Sequence, residues 1–284
     1  MLFECKSDKP KYLANIFESV NTVLENGNIT ICKKGILING IDGAHVALLK
    51  LSLGKDFFKS FEFNTNDNSS QDNNSENNSE NNSIQSNREL YTIGLEFKTI
   101  IKILKSAEKS DTVILQYNNK NRITIRIEND FLKRKFDIKL LDIETDNISI
   151  PDINYNLNIE MNSKKYEKII STFDITDCEE ISISCINGLV KFSSNSDVSE
   201  SEVILKQNKD IKDSEQSCVI TNSVKLNQTT FCLKNLKGFL KGNILSDKVK
   251  IGLNIDYPIK ILYSIGKDIN SYLIYYLAPK IDDN

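Results

Sequence analysis

The chain has 284 residues, of which 39% are hydrophobic, and a formal net charge of −3 at pH 7. This length allows one large domain or two of ordinary size, and the near-neutral charge excludes a general electrostatic attraction to DNA or membranes. No run of about eighteen apolar residues occurs, and the N-terminus lacks the basic start and apolar stretch of a signal peptide. We therefore expect a cytosolic or nuclear protein.

In chain order, the first predicted element is an amphipathic helix over residues 11–24, followed by short strands that turn at Gly35. A polar segment at about 64–87 has Ile84 as its single apolar residue and carries four acids with no base. A second helix is predicted over 94–107, and strands over 112–117, 122–128 and 135–141. After an extended stretch at 140–155, the same order returns: a helix over 163–173, a hairpin that turns at Gly188, a helix over 232–242, and strands over 249–255 and 260–265.

The two halves also share sequence. LKSAEKSDTVIL (104–115) aligns without a gap on LKGNILSDKVKI (240–251), and ITICKKGILI (29–38) resembles ISCINGLVKF (183–192). The spacing between these segments is 17 residues longer in the first half, which marks the Asn/Ser-rich segment as an insertion into a loop of one copy. Its composition predicts disorder, and a low-complexity expansion is favoured over a recognition role.

The repeat predicts an α+β protein with two topologically equivalent domains, in which helices cover one face of antiparallel sheets. We place the N-terminal domain at 1–141, an interdomain connecting segment at 142–154, and the C-terminal domain at 155–284. The connecting segment contains Pro151 and acids, which suit an extended linker.

Lysines recur on one face of the second helix of each half. Lys98, Lys102 and Lys105 share a face, and Lys234, Lys237 and Lys241 do so at equivalent places in the second copy. For a single helix, the solvated face of an amphipathic helix is the better interpretation. The recurrence favours contacts with phosphates that carry no sequence preference.

The sequence offers little for catalysis. Its one histidine, His45, lies in an apparent turn before a buried strand, where a structural or partner-contacting role is favoured over a catalytic one. Zinc-ligand spacing, a Walker loop and GxGxxG after a strand are all absent. The scattered cysteines are interpreted as reduced, buried small hydrophobes, although a thiol or metal enzyme is kept as a third hypothesis: Cys5, Cys32, Cys178, Cys185, Cys218 and Cys232.

Several segments together resemble one family. DGAHVALLKL, IPDINY, ISCINGLVKF, Asp256-Tyr257-Pro258 and the terminal YYLAPKI are similar to proliferating cell nuclear antigen, the sliding clamps of eukaryotic and related viral replication. The likeness covers nearly the whole chain and is interrupted only by the insertion. It implies a non-enzymatic processivity factor without cofactors, located in the nucleus or at the site of viral DNA replication.

The resemblance implies a head-to-tail homotrimeric ring around duplex DNA, with sheets outside and helices lining the hole. Edge strands at 135–141 and 202–206 would pair between subunits. The DNA-binding residues would be Lys98, Lys102, Lys105, Lys168, Lys234, Lys237 and Lys241. The first helix departs from the family at Ala14, Asn15 and Asn21, where lysines are typical, and Asn187 replaces a lysine that carries ubiquitin-type modification.

The family also implies an apolar groove for docking peptides of partner enzymes. The expected partners are a clamp loader, a DNA polymerase, a flap endonuclease and a ligase. The groove would be lined by Ile41, His45, Val46, Leu48, Ile148, Ile150, Pro151, Tyr155, Pro258, Tyr275, Leu277, Ala278 and Pro279. The alternative is a subunit of a heterotrimeric checkpoint-type clamp or a specialised clamp paralogue.

Overall fold

The computed structural model describes residues 1–64, 90–118, 120–144, 153–176, 178–196, 199–208, 217–221 and 225–280. Apart from Asn64, the predicted insertion lies outside the described residues, as do residues 145–152 of the predicted connecting segment. Within the described ranges, no helix has the length and apolar character needed to cross a membrane.

In the described residues of the first half, the structure has two helices and nine strands. They are β1 (Phe3–Ser7), α1 (Pro10–Asn21), β2 (Asn26–Cys32), β3 (Gly35–Ile41), β4 (Ala47–Gly54), β5 (Ser60–Phe63), β6 (Leu90–Glu96), α2 (Phe97–Lys105), β7 (Thr112–Tyr117), β8 (Arg122–Glu128) and β9 (Lys133–Lys139). The second half repeats this order with β10 (Leu157–Asn162), α3 (Ser163–Asp174), β11 (Glu180–Ile186), β12 (Leu189–Asn195), β13 (Glu200–Leu205), β14 (Cys218–Thr221), β15 (Leu226–Cys232), α4 (Leu233–Phe239), β16 (Lys248–Leu253), β17 (Ile259–Ser264) and β18 (Tyr272–Leu277). Short 3-10 turns follow β4 and α4.

The strand pairing shows that the two halves share the same topology. In the first half the sheets run β5-β1-β7-β8-β9 and β4-β3-β2-β6, and in the second half β14-β10-β16-β17-β18 and β13-β12-β11-β15. The last strand of the second half, β18, pairs with β4 of the first half, so two of these sheets fuse into one sheet of nine strands. The predicted duplication of an α+β unit is therefore confirmed.

Local sequence explains the hairpins and the burial. In β2 and β8, every second residue is buried, as a sheet with one covered face requires. The β11–β12 turn consists of Asn187 and Gly188, whose φ angles of 53° and 76° suit a two-residue hairpin turn. One continuous hydrophobic core lies between the sheets and the helices.

The helices form one layer that spans both halves. α1 packs beside α2 and also against the 3-10 turn Leu240–Ile244, while α3 packs beside α4. Hydrogen bonds from α1 help to join the halves: the Tyr12 hydroxyl donates to the Leu245 carbonyl at 2.8 Å, and the Ser19 hydroxyl donates to the Lys241 carbonyl at 3.1 Å.

Three helix boundaries differ from the prediction by three residues, and the others agree within two. α1 ends at Asn21 instead of residue 24, and residues 94–96 belong to β6, so α2 begins at Phe97. The last predicted helix is α-helical only to Phe239 and continues as a 3-10 turn. Gly242 lies in this turn against the Tyr263 ring, where a Cβ would come within 2.4 Å of ring carbons. This close approach explains why a glycine stands there.

Candidate functional site

The lysines singled out in the sequence all lie on the solvent side of the helix layer. α2 carries three, α3 carries Lys168, and α4 with its following 3-10 turn carries three more. Each is exposed, whereas the apolar residues of the same helices are buried against the sheets. The structure therefore brings the lysines of both halves onto one face.

Two of these lysines are engaged in ion pairs within the chain. Lys105 pairs with Glu18 of α1, and Lys237 pairs with Asp174 at the end of α3. Both pairs are at the surface, where such pairs contribute at most about 1 kcal/mol to stability. They reduce the positive charge that this face presents to a polyanion.

The helix α1 carries one lysine, Lys11, and has none at Ala14, Asn15 or Asn21. It lies in the middle of the layer, between α2 and the 3-10 turn Leu240–Ile244, and Ala14 is only 2% exposed. A cleft of 860 Å³ opens beside it, lined by α1, α3 and the 3-10 turn, and Glu18, Glu167 and Asp247 border it together with lysines. The middle of the layer is therefore its least basic part.

The opposite, outer face of the nine-stranded sheet carries several of the predicted groove residues. Ile41 of β3 lies opposite Leu48 of β4, Leu48 opposite Tyr276 of β18, and Tyr276 opposite Lys260 of β17. Directly paired residues in antiparallel strands point to the same face, so these four side chains form a row across the sheet. We call this row, with Tyr155 and Pro258, the docking face.

Tyr155 extends the docking face beyond β17. Its ring lies over Gly252 of β16, where a Cβ would come within 2.7 Å of the ring, and its hydroxyl donates to the Pro258 carbonyl at 3.1 Å. The Lys260 ammonium is 5.9 Å from the ring centroid. Burial raises the pKa of the Tyr155 hydroxyl well above its ordinary value, so this hydroxyl remains a hydrogen-bond donor.

Two predicted groove residues do not belong to this face. Tyr275 and Leu277 are 0% and 1% exposed and lie in the core, because residues alternate between the two faces of a strand. The Tyr275 ring stacks on Phe239 at 4.4 Å, and its hydroxyl donates to the Ser19 carbonyl at 2.7 Å. The residue of this strand that the docking face contains is Tyr276, which the sequence prediction missed.

The loop and tail beside the docking face support each other. Asp42 Oδ1 accepts hydrogen bonds from the backbone N–H groups of Val46 and Ala47, both at 2.9 Å, which closes the turn that carries His45. His45 is exposed, with a φ of 59°, and Val46 is 41% exposed. The Ala278 N–H donates to the Val46 carbonyl at 2.9 Å, and the half-buried Pro279 follows it.

The remaining predicted groove residues, Ile148, Ile150 and Pro151, lie outside the described residues. The linker can be followed to Glu144, and the Asn28 side-chain amide donates to the carbonyl of Ile143 at 3.1 Å. Asn187 occupies an exposed position at the tip of the β11–β12 hairpin.

The cysteines are free thiols in the described part of the chain, and most are buried. Burial raises the pKa of Cys5, Cys185 and Cys218, which disfavours the reactive thiolate. Across the described ranges, no cluster of three or more His, Cys, Asp or Glu side chains is arranged to hold a metal ion.

Known proteins match the chain along its length. The N-terminal domain of proliferating cell nuclear antigen matches residues 2–77, and the C-terminal domain of the same protein matches residues 149–280. Proliferating cell nuclear antigen from Chaetomium thermophilum is 26% identical over 100% of both chains. Proliferating cell nuclear antigen 2 from Drosophila melanogaster is 24% identical over 99% of each.

A solved structure shares the fold. Proliferating cell nuclear antigen from Entamoeba histolytica superposes with a TM-score of 0.79 and 22% identity, covering 98% of this chain and 99% of that chain. Taken with both domain matches, the duplicated topology and the layer of lysine-bearing helices, this shows that the chain belongs to the proliferating cell nuclear antigen family of DNA sliding clamps.

Proposed function

We propose that three copies of this chain join head to tail into a ring that encircles duplex DNA and tethers replication and repair enzymes. The observation that carries the proposal is the pairing of β18 with β4 inside one chain. By the repeat, β9 is the counterpart of β18 and β13 is the counterpart of β4. Both lie at sheet edges within the described strands.

The unused edges can repeat the junction that already exists. If β9 of one copy pairs with β13 of the next as β18 pairs with β4, every junction between neighbouring domains has the same geometry. Repeating one rotation closes a ring in which β9 and β13 are no longer sheet edges. The edges expected from the sequence, 135–141 and 202–206, largely coincide with β9 and β13.

The charges of the two edges are complementary. The exposed charged residues of β9 are Lys133, Lys135 and Lys139 with one acid, Asp137, and those of β13 are Glu200 and Glu202, so the two edges carry opposite net charge. Opposite charges on paired strands favour association and disfavour pairing of two identical edges. This pattern supports head-to-tail assembly over a two-fold dimer.

In such a ring, the helix layer faces the hole. The seven lysines, Lys98, Lys102, Lys105, Lys168, Lys234, Lys237 and Lys241, would contact phosphates of either strand. Lysine without base-reading neighbours binds DNA independently of sequence, which permits sliding.

The docking face lies on the other side of the sheet and remains open for partner peptides. Its side chains Ile41, Leu48 and Tyr276 suit an aliphatic and aromatic anchor from a clamp loader, a DNA polymerase, a flap endonuclease or a ligase. The linker residues Ile148, Ile150 and Pro151 and the tail residues Ala278 and Pro279 belong to the same proposal. The chain would act in the nucleus as a non-catalytic scaffold.

The mass in solution tests the ring. Size-exclusion chromatography with light scattering should give about three times the 32.3 kDa chain mass. The double variants K133E/K139E and E200K/E202K should each weaken the trimer, because like charges then face each other across the junction. A chain that carries all four changes should regain the trimer mass.

Lys59→Glu is the matched control, since Lys59 is exposed and lies before β5, away from both edges. A monomer at micromolar concentration would contradict the proposal, as would a fourfold variant no better than either double variant. A checkpoint-type subunit or specialised paralogue is not favoured, because both domains and the relatives above match proliferating cell nuclear antigen itself.

A further inference from the structure

The tip of the β8–β9 hairpin exposes two large apolar side chains. Phe131 is 98% exposed and Leu132 is 52% exposed, and the two immediately precede β9. The tip has a defined shape, because Asn129 Oδ1 accepts hydrogen bonds from the N–H groups of both residues at 2.9 Å. Any surface that covers these side chains gains the free energy of burying them.

The strand β13 also exposes an apolar side chain, near its end. Ile204 is 51% exposed, whereas the next residue, Leu205, is buried. If β9 and β13 of neighbouring copies pair antiparallel, as β18 and β4 do within the chain, the start of β9 meets the end of β13. Each proposed junction then has exposed apolar side chains from both copies at the same end.

The sheet ladders fix the correspondence between β9 and β18. Val113 and Val249 are equivalent in the sequence repeat, and the ladders from them lead through β8 and β17 to Arg134 of β9 and Leu273 of β18. Arg134 therefore takes the place of Leu273. The hairpin tip before β9 takes the place of the loop before β18.

The same reasoning fixes the correspondence between β13 and β4. Leu37 and Lys191 are each the third residue of the strand that follows a two-residue turn, in β3 and β12. They lie opposite Ser52 of β4 and Ile204 of β13. Ile204 therefore takes the place of Ser52.

Inside the chain, the loop before β18 covers the end of β4. The Ser52 hydroxyl donates to the Asn270 carbonyl at 2.7 Å, and the Gly54 N–H donates to the Ser271 hydroxyl at 2.9 Å. Ser52 and Ser271 are both buried. Leu132, which directly precedes β9 as Ser271 precedes β18, has no such cover within the described part of a single chain.

We propose that the hairpin tip of one copy, Phe131 and Leu132, packs on Ile204 of the next copy, as the loop before β18 packs on Ser52. The inference rests on the proposed ring and adds an apolar contact at one end of each junction. The equivalent contact inside the chain is polar and is supported by the covalent connection of its two strands. Separate copies lack that connection, and burial of apolar side chains supplies a driving force for their association.

Tryptophan fluorescence tests where the tip lies, because the chain contains no tryptophan of its own. In the variant Phe131→Trp, the indole emission should be shifted to the blue and shielded from acrylamide while the protein is trimeric. On dilution it should shift to the red in step with the mass from light scattering. Ile269→Trp is the matched control, since Ile269 is exposed in the loop before β18, away from β9 and β13. Its emission should not change with concentration.

Polar substitutions test the contribution of the contact to assembly. Phe131→Ser and Ile204→Ser should each raise the concentration at which half of the trimer separates by about tenfold, whereas Ile269→Ser should leave it unchanged. The variant F131S/I204S should be little worse than either single variant, because both changes remove the same contact. All three residues are exposed in the single chain, so the fold should tolerate these changes.

The outcomes separate this inference from the proposed ring. A trimer in which the indole at position 131 is as exposed as the one at position 269 would overturn the contact and leave the ring intact. Effects of Phe131→Ser and Ile204→Ser that add in full would also contradict the contact, since the two side chains would then act independently. An unchanged chain that is monomeric at micromolar concentration would overturn the ring and the contact together.

Discussion

Tyr275 and Tyr276 are adjacent in the chain and belong to opposite surfaces of the molecule. Tyr275 points inward, stacks on Phe239 and bonds to the Ser19 carbonyl of the other half. Tyr276 points outward, between Leu48 and Lys260 on the docking face. One residue therefore contributes to the stability of the junction, and the next lies on the docking face.

This division gives a prediction for two neighbouring positions. Leu277→Ala should lower the free energy of unfolding by about 2–5 kcal/mol, because Leu277 is fully buried and its loss leaves a cavity. Tyr276→Ala should cost much less stability but should weaken binding of an aromatic-anchored peptide by tenfold or more. Urea unfolding measures the stability and fluorescence anisotropy measures the peptide binding. A large loss of stability in Tyr276→Ala with a small one in Leu277→Ala would contradict this division.

The sequence could not show which residues of β18 face the core and which face outward, and the reason is physical. The segment YLIYYL is apolar on both faces of the strand, so its period of two carries no sign of which residues face the core. Only the family resemblance grouped Ile41, Leu48, Tyr155 and Pro258; the structure brings them onto one face, and their role in docking stays a prediction. The strand order that joins them depends on contacts distant in sequence.

At the scale of elements, the edge strand β9 is held by a polar network at its start. Asp111 is 1% exposed, and it accepts hydrogen bonds from the Glu108 N–H at 2.9 Å and from the Asn129 amide at 2.6 Å. Arg134 of β9 pairs with Asp111 and also donates to the Ser106 carbonyl at 2.8 Å. The network connects the end of α2 to the β8–β9 hairpin.

The bonds from Glu108, Asn129 and Arg134 hold the pKa of Asp111 below its usual value, against the opposing effect of burial. We expect Asp111→Asn to lose about 1–3 kcal/mol of stability at pH 7. A carboxyl with a depressed folded pKa stabilises the fold above its unfolded pKa near 3.9, and this contribution is lost as pH falls through the folded pKa. The gap between the variant and the unchanged chain should therefore close in acid.

Urea unfolding at pH 7, 5 and 3 and at one protein concentration would measure this gap. Asp130→Asn provides the control, since Asp130 lies exposed at the tip of the same hairpin. A gap that is the same at all three pH values would contradict the role given to the Asp111 carboxylate.

Other features of the elements could be predicted from sequence. The helical lysine spacing, the turn at Gly188 and the alternating strands all depend on local patterns, and the structure has them. The first hairpin turns at Lys33 and Lys34, one step before the predicted Gly35, which is the first residue of β3. The 3-10 turn Leu240–Ile244 could not be predicted in this way, because its geometry depends on the close packing of Gly242 against Tyr263. The low charge of α1 was visible in the sequence, whereas its central place in the helix layer was not.

At the scale of the whole molecule, the helix layer predicts how DNA binding depends on salt. The variant K98E/K102E/K234E removes exposed positive charge from α2 and α4 and leaves the pairs of Lys105 and Lys237 in place. We expect weaker binding to linear duplex DNA and a shallower slope of log affinity against log salt, because fewer counterions are released. Fluorescence anisotropy at several salt concentrations measures the slope.

The trimer mass of this variant should be unchanged, since none of the three lysines lies on β9 or β13. Lys59→Glu again serves as the control for a change of charge alone. A slope equal to that of the unchanged chain would show that the helix layer does not contact phosphates.

The β18–β4 junction has a consequence for dilution. Its two strands are covalently connected through the chain, so their effective concentration does not depend on how much protein is present. A junction between β9 and β13 of separate copies has no such connection and obeys mass action. On dilution the assembly should therefore separate into whole chains with both domains still joined. The β9–β13 junctions between copies are where a ring would open to admit DNA.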